Sequence, residues 1–437
     1  MYIYPSAVQI FIEDTTMKKR TMAVLTVIFL FVCTGLAYGY GGSFDDPTVT
    51  ENQRAIGEYF NDIYYFLDPP GTVSYQIGDV YNDGDEIYLR ALDNLSPETY
   101  AALPGITLGS LWQFQSLTLG HLAALRSSGT VAGKAEPLLF ASSGAIMLDS
   151  SPILYAPSTG TAGGWGVWGE TYGLFGSQAN KAGRFGYRYN TFGFSLGVDR
   201  AVGEKFVAGL VTGYSHSFVN FNDVTFDGHV NSFDLGIYGS YNPGPWYLDA
   251  SFTWARNWYE TERYDFFALD TAEASYHGDA FAAYLGGGYN FNIGKARITP
   301  TLSLAYTYYN QPRFNETGAG LFNLAVHRFD SNSLVSRVGL AFAYEFDFEK
   351  VTIVPEASAE WAHEYLDVDH TLSSRIAGVD DHAFEVSGVR SDRDSALLGL
   401  GVTAYFGNNL SVYGNYDAEI RNRYNSHGFT LGVRYEF

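Results

Sequence analysis

Few residues in this chain have the types and spacing that chemistry requires. Asp79-Val80-Tyr81-Asn82-Asp83-Gly84 resembles a calcium loop, which takes oxygen ligands at alternate positions and ends on a bidentate acid. Here Tyr81 replaces a ligand and Arg90 stands where the acid belongs, so an acidic, solvated loop is expected. No histidine occurs between residues 40 and 120, and a Ser-His-Asp nucleophile cannot be assembled in that segment. It contains no zinc-ligand cluster and no phosphate-binding glycine loop either. The one cysteine, Cys33, lies in an N-terminal apolar run; if that run is cleaved off, disulfide and thiol-metal chemistry go with it. What remains is a set of charged residues further on: Asp249, Arg337, Glu356, Glu360, Asp417 and Glu419. Glu356 and Glu360 could in principle act as a general base, for instance to activate an asparagine for cyclisation. No scissile asparagine is identifiable, so no catalytic, cofactor-binding or metal-binding residue is assigned. The chain is expected not to be an enzyme and to need no cofactor.

These charges acquire meaning from the elements that must hold them. From residue 164 to 437 the chain reads as segments of period two, the mark of strands whose successive side chains point to opposite faces. Phe192, Phe194, Leu196 and Val198 alternate with Gly193, Ser195, Gly197 and Asp199. Trp246, Leu248, Ala250, Phe252 and Trp254 alternate with Tyr247, Asp249, Ser251 and Thr253. Leu410, Val412 and Tyr416 do the same against Ser411, Asn415 and Asp417. At the end, Phe429, Leu431, Val433, Tyr435 and Phe437 share one parity, and Thr430, Gly432, Arg434 and Glu436 the other.

Twelve strands are predicted, at 164–176, 186–200, 204–220, 227–242, 244–260, 275–293, 295–310, 330–347, 350–366, 393–406, 408–421 and 423–437. Many exceed the about 9–11 residues that a tilted transmembrane strand needs. Short breakers such as Asn242-Pro243-Gly244 join alternate pairs, and polar stretches at 261–274, 311–329 and 367–392 join the others. Short turns at one end and long loops at the other are the habit of outer-membrane barrels. The expected fold is an all-β membrane protein, a twelve-stranded antiparallel transmembrane β-barrel, closed because lipid satisfies no unpaired backbone group. Parity then turns the six charged residues toward the lumen and puts His363 on the outer face near a strand end.

Composition agrees. Aromatics make up 17% of the chain, with 34 Tyr, 32 Phe and 48 Gly, which suits aromatic girdles around a lumen of small residues. The net charge of −21 argues against nucleic acid, whose phosphates attract basic proteins. Met22 to Ala37 follows Lys18-Lys19-Arg20 and runs into Ala37-Tyr38-Gly39, the plan of a secretory signal peptide, with Met17 the expected start. Further on, Asn52 to Phe60 reads as a short amphipathic helix. Ser96-Pro97-Glu98 reads as a helix start. Pro104-Gly105 reads as a break, and Leu108 to Leu125 as a second helix carrying Leu111, Trp112, Phe114, Leu117, Leu119 and Leu122.

Asn52-Gln53-Arg54-Ala55 followed by Leu92-Asp93-Asn94-Leu95-Ser96-Pro97-Glu98-Thr99-Tyr100 resembles the junction before the translocator of autotransporters, the type V secretion family. Further blocks resemble that family in the same order: Gly213-Tyr214-Ser215, Asp234-Leu235-Gly236, Pro245-Trp246-Tyr247, Phe314-Asn315-Glu316, Ser336-Arg337-Val338-Gly339 and Trp361-Ala362-His363-Glu364. The alternating last strand resembles the signal read by the outer-membrane assembly machinery, so Phe429, Leu431, Val433, Tyr435 and Phe437 are the expected assembly signal. The resemblance implies a monomer in the outer membrane of a Gram-negative bacterium, in contact with outer-membrane lipid, periplasmic chaperones and the barrel-assembly machinery. It implies a helix threading the pore and plugging the lumen, and export or display of the chain's own N-terminal segment.

The expected layout is an N-terminal extension and signal peptide at 1–39 and a short passenger-like segment at 40–91. A junction, linker helix and flexible linker follow at 92–163, then the barrel at 164–437. The residue pattern alone fits a solvated lumen with internal ion pairs; the resemblance adds that some of the six charges grip the threaded helix or assist passenger cleavage. A family passenger is far longer than the about fifty residues ahead of this junction. A porin-like channel, or a surface adhesin acting through loops such as 367–392, therefore stands as an alternative.

Overall fold

The structure, a computed structural model, describes residues 49–63, 86–127, 165–203, 205–265, 270–366, 369–379, 382–406 and 410–436. The N-terminal run with Met17 and Cys33, the Asp79 to Gly84 stretch, the linker beyond residue 127 and Phe437 lie outside the described residues.

Twelve long strands pair in chain order. They are β1 (Trp165–Gln178), β2 (Tyr187–Val202), β3 (Phe206–Phe221), β4 (Phe226–Tyr241), β5 (Trp246–Asp265) and β6 (Asp270–Tyr289). Then come β7 (Ala296–Gln311), β8 (Phe329–Tyr344), β9 (Val351–Glu364), β10 (Asp394–Phe406), β11 (Leu410–Arg421) and β12 (Tyr424–Glu436). Every neighbour is antiparallel, and β12 returns to β1 with Leu431 opposite Thr171 and Phe429 opposite Gly173, so the sheet closes into a barrel. Outward residues such as Leu196, Ile237, Leu285, Leu302, Val338, Leu400 and Leu431 are exposed. An apolar band of that extent is favourable against lipid, not water. Phe429, Val433 and Tyr435 belong to the same outer face.

The stretch 261–274, read from the sequence as a loop, instead extends the β5–β6 hairpin, whose pairing continues to Asp265 opposite Asp270. Its outer parity carries Glu262 and Glu273, which reads as loop. Its inner parity, Thr261, Arg263, Asp265, Ala272 and Ala274, is buried. Two other expected loops also fold. Short strands at Phe314–Asn315, Leu324–Val326, Thr371–Ile376 and Phe384–Ser387 form a four-stranded antiparallel sheet over the long-loop rim.

Three helices are described: α1 (Glu51–Ile63), α2 (Glu86–Leu95) and α3 (Glu98–Ser127). Ile56, Tyr59, Phe60 and Ile63 of α1, with Leu92 and Leu95 of α2, share one apolar cluster with Phe314, Leu324, Leu372, Ile376 and Phe384 of the rim sheet. The helix start at Ser96 is as read, with the Glu98 N–H donating to Ser96 Oγ at 3.3 Å. The break at Pro104-Gly105 is not: α3 runs 30 residues without interruption, Pro104 included. A proline in a helix interior costs about 3 kcal/mol. Burying Leu103, Ile106, Leu108, Leu111, Phe114 and Leu117 on α3 returns about 1.5–3 kcal/mol each, so packing outweighs the lost bond.

Candidate functional site

The lumen of the barrel is occupied by α3, and the wall holds it from several sides. Thr107 Oγ1 lies 2.8 Å from Tyr259 Oη on β5, and Ser110 Oγ lies 2.9 Å from Ser215 Oγ on β3. Trp112 Nε1 donates to Thr307 Oγ1 on β7 at 2.9 Å, and Gln115 Nε2 to Ser251 Oγ on β5 at 3.0 Å. Gln113 Nε2 reaches Thr430 Oγ1 on β12 at 3.5 Å. Each such bond is worth only about 0.5–1.5 kcal/mol net, but bonds to opposite walls together fix the rotation and depth of the helix. Shape adds to this. Phe114 fills a slot that exists because Gly213 has no side chain; a Cβ there would sit 2.5 Å from the Phe114 ring.

Toward the short-turn end, His121 Nε2 is hydrogen-bonded to Asp199 on β2, with side chains only 1% and 3% exposed. The His121 ring stacks on Trp168 with centroids 4.4 Å apart and planes at 21°. The Tyr238 hydroxyl donates to Asp199 at 3.3 Å and accepts the Trp168 Nε1 proton at 2.9 Å. Carboxylate, imidazole, indole and phenol thus form one closed set around the helix.

At the long-loop end a second lock joins helices, wall and rim sheet. Glu316 accepts from Arg263 Nε at 2.9 Å, Arg263 Nη2 at 2.6 Å, the Tyr100 hydroxyl at 2.7 Å and the Leu324 N–H at 2.8 Å. Arg263 also donates to Asp265 at 2.9 Å and to the Asn94 carbonyl, at the end of α2, at 2.8 Å. Asn52 of α1 completes the edge of the rim sheet: its Nδ2 donates to the Ser387 carbonyl at 3.0 Å, and its Oδ1 accepts the Ser387 N–H at 3.1 Å. Asn52 Nδ2 donates to Glu98 as well, at 2.6 Å, and the Phe185 N–H of the β1–β2 loop donates to the other Glu98 oxygen at 2.6 Å.

Above the wall, burial raises the Glu98 carboxyl to about 7 despite those two donors, with Asp93 nearby pushing the same way. Burial likewise raises Asp93 to about 6, against the hydrogen bond from Gln53 and the charge of Arg90.

The charged residues singled out in the sequence lie on the lumen face. Asp249, Arg337, Glu360, Asp417 and Glu419 are buried, and Glu356 is half-buried. Glu360 accepts from Thr301 Oγ1 at 3.2 Å and Glu419 from Arg421 Nε at 2.6 Å. Glu356 and Glu360 stand four residues apart along β9, about 13 Å at ~3.3 Å per residue, which is too far to act on one amide together. His363 lies on the outer face, its Nδ1 2.8 Å from Asp394 Oδ1 and its ring 4.8 Å from that of Tyr365. The α3 bonds described above go to other wall residues: Asp199, Ser215, Ser251, Tyr259, Thr307 and Thr430. All of them sit on the inward parity, which was the available signal. Selecting for charge alone passed over the hydroxyls.

Residues 167–417, more than half of the chain, match the family described as the autotransporter beta-domain. The chain belongs to the autotransporter family. This autotransporter is 24% identical over 274 residues to an extracellular serine protease of Serratia marcescens, covering 62% of this chain and 26% of the relative. It is 24% identical over 356 residues to outer membrane protein B of Rickettsia rickettsii, covering 78% of this chain and 21% of the relative. The chain therefore spans about a quarter of the length of the curated relatives it matches. Its fold is shared with the translocator domain of autotransporter NalP from Neisseria meningitidis, at 20% identity and a TM-score of 0.52, covering 62% of this chain and 88% of that one. The barrel is thus an outer-membrane translocator domain.

Proposed function

We propose that this autotransporter carries its own N-terminal segment across the outer membrane and keeps it docked on the far side, with α3 left behind as the plug. One observation carries the reading. The barrel begins with Trp165 at the short-turn rim, yet α1 and α2, which precede it in the chain, pack against the sheet over the long-loop rim. Between them α3 runs the depth of the lumen. In outer-membrane barrels the short turns are periplasmic and the long loops face outward, so the segment ahead of α3 has crossed.

The activity is transport and display, not turnover. Export has no nucleotide to draw on in the periplasm, so folding supplies the bias. Docking Ile56, Tyr59, Phe60 and Ile63 into the rim cluster contributes about 1.5–3 kcal/mol for each side chain, and this gain exists on the outer side alone. The lumen charges Asp249, Arg337, Glu356, Glu360, Asp417 and Glu419 serve a solvated, ion-paired interior.

A secretory signal within residues 1–39 and periplasmic chaperones bring the chain to the membrane of a Gram-negative cell. The barrel-assembly machinery then reads the Phe429, Leu431, Val433, Tyr435 and Phe437 face. The layout of passenger-like segment at 40–91, junction and linker at 92–163 and barrel at 164–437 belongs to the same reading. Part of the 367–392 loop is built into the sheet that carries α1, which favours docking over a freely adhesive role.

An epitope tag inserted after Ser43 tests this on intact cells, with and without added protease. A protease-sensitive surface signal is expected. A tag hidden until the outer membrane is permeabilised overturns export.

A further inference from the structure

Gly105, Gly109 and Trp112 lie on one face of α3, separated by four and three residues. Beside the two glycines the plug does not fill the lumen. A partly open cavity of about 70 Å³, room for a few waters, lies between α3 and the wall, lined by Tyr187, Tyr189, Ser331, Ser333, Glu364 and Tyr424 among others. A Cβ on Gly105 would meet nothing nearer than 3.9 Å and one on Gly109 nothing nearer than 3.8 Å. The glycines hold room open; close packing does not demand them. The polar groups of the lining are tied to one another. Glu364 accepts from the Ser333 hydroxyl and from the Leu334 N–H, the latter at 2.8 Å, and the Tyr189 and Tyr424 hydroxyls are 2.8 Å apart. Such a lining suits water and small hydrated solutes and offers no strong grip on a particular ligand.

One turn further along the helix the character of the wall changes. Trp112, 7% exposed, packs against Val335, Ala362 and Leu397. Each strand of this ring reads polar, apolar, polar or glycine along its inner parity. On β8, Ser331 and Ser333 line the cavity, Val335 meets the indole, and Arg337 follows. On β9 the order is Glu364, Ala362, Glu360, and on β10 it is Ser395, Leu397, Gly399. Past the ring, the Arg337 guanidinium, Ser303 Oγ and Gln115 Oε1 are buried polar groups with no hydrogen-bond partner among the described residues, the kind of group that internal water satisfies. Two polar compartments are thus divided by a single apolar layer, and apolar constrictions stop ion passage by excluding water.

We propose that the outer half of the lumen is a solvent vestibule open to small hydrated solutes, and that Trp112 with Val335, Ala362 and Leu397 is the hydrophobic seal that keeps the plugged barrel from conducting. The proposal rests on the reading of α3 as the plug and assigns its closing function to one layer.

The test uses the full chain in a Cys33→Ser background, with a membrane-impermeant thiol reagent added outside intact cells and conductance read in planar bilayers. Gly109→Cys is labelled and Ser303→Cys is protected while Trp112 is present. With Trp112→Ala, Ser303→Cys becomes labelled and conductance rises; Trp112→Phe restores both the protection and the low conductance. Should Trp112→Ala not assemble, the Val335→Ser, Leu397→Ser pair makes the layer polar with the indole in place and is expected to open it likewise.

Protection of Gly109→Cys would remove the vestibule. Unchanged protection and conductance after either opening variant, in a barrel that does conduct once α3 is deleted, overturns the seal and leaves the plug standing. A barrel that stays closed after deletion of α3 overturns the plug itself.

Discussion

Arg263 holds Glu316 through two parallel hydrogen bonds, at 2.9 and 2.6 Å, with the two residues 2% and 3% exposed. The pair joins the extended top of β5 to the loop strand at Phe314–Asn315, and through Tyr100 and Asn94 it ties the start of α3 and the end of α2 to the same point. Breaking a buried pair by removing one partner costs about 3–5 kcal/mol, because the other charge stays behind uncompensated. Glu316→Gln is therefore expected to release α1 and α2 from the rim. Limited proteolysis in detergent should show early cleavage within the cap, while heat resistance of the folded barrel on gels is retained. Equal protection of the cap in variant and parent would remove the lock.

The cap should bind more tightly in mild acid than in base. Glu98 has a folded value of about 7 and Asp93 one of about 6, both raised by burial. An acid whose folded value lies above its unfolded one binds more protons in the folded state, so stability falls as pH rises between the two values. For Asp93 that window runs from the ordinary carboxylate range to about 6, and for Glu98 to about 7. Cap opening, followed by protease cleavage normalised to an unfolded control peptide, is expected to quicken from pH 5 to pH 8. Glu98→Gln, which keeps the shape of the protonated acid, should flatten the upper part of that curve.

Removing the carboxylate below α3 should loosen the lower half of the plug alone. Asp199 binds His121 and accepts from Tyr238, and a hydrogen bond to a charged group is worth about 1.5–3 kcal/mol. Asp199→Ala is expected to speed hydrogen exchange in α3 near His121, with exchange near Tyr100 unchanged. Uniform acceleration along the helix would argue that the locks at the two ends act as one.

Gly213 and Phe114 should behave as a coupled pair. A Cβ at residue 213 meets the Phe114 ring at 2.5 Å and the Phe194 carbonyl at 2.9 Å, and overpacking of this kind costs about 1–3 kcal/mol. Gly213→Ala is expected to lower the thermal midpoint in detergent, and Phe114→Ala to relieve part of the loss in the double variant. Simple additivity would show that the two do not share the slot.

Strand number and lumen parity were legible because a barrel between lipid and a polar interior imposes the period-two pattern on every strand. Thus Phe192 to Val198 and Phe429 to Tyr435 could be oriented from the sequence alone. The reading failed where that contrast fades. Above the membrane, Glu262 and Glu273 face water, and the β5–β6 extension looked like a loop although Arg263 and Ala272 are buried beneath it. Pro104 looked like a break because propensity is local, whereas the packing that overrides it comes from strands far along the chain. The hydroxyls that hold α3 were passed over because Ser215, Ser251, Thr307 and Thr430 look alike on any inward parity, and which of them meets the helix depends on its rotation and depth.

The sequence by itself determined a closed twelve-stranded barrel, its inner and outer faces, and a helix starting at Ser96. Each follows from a pattern of neighbours one to four residues apart. Tertiary structure alone decided that α3 is continuous, that His121 meets Asp199, that α1 docks beside Ser387, and that Trp112 lands on Val335 and Leu397. These contacts join residues separated by tens to hundreds of positions, and they form only once barrel closure has set the width of the lumen around the helix.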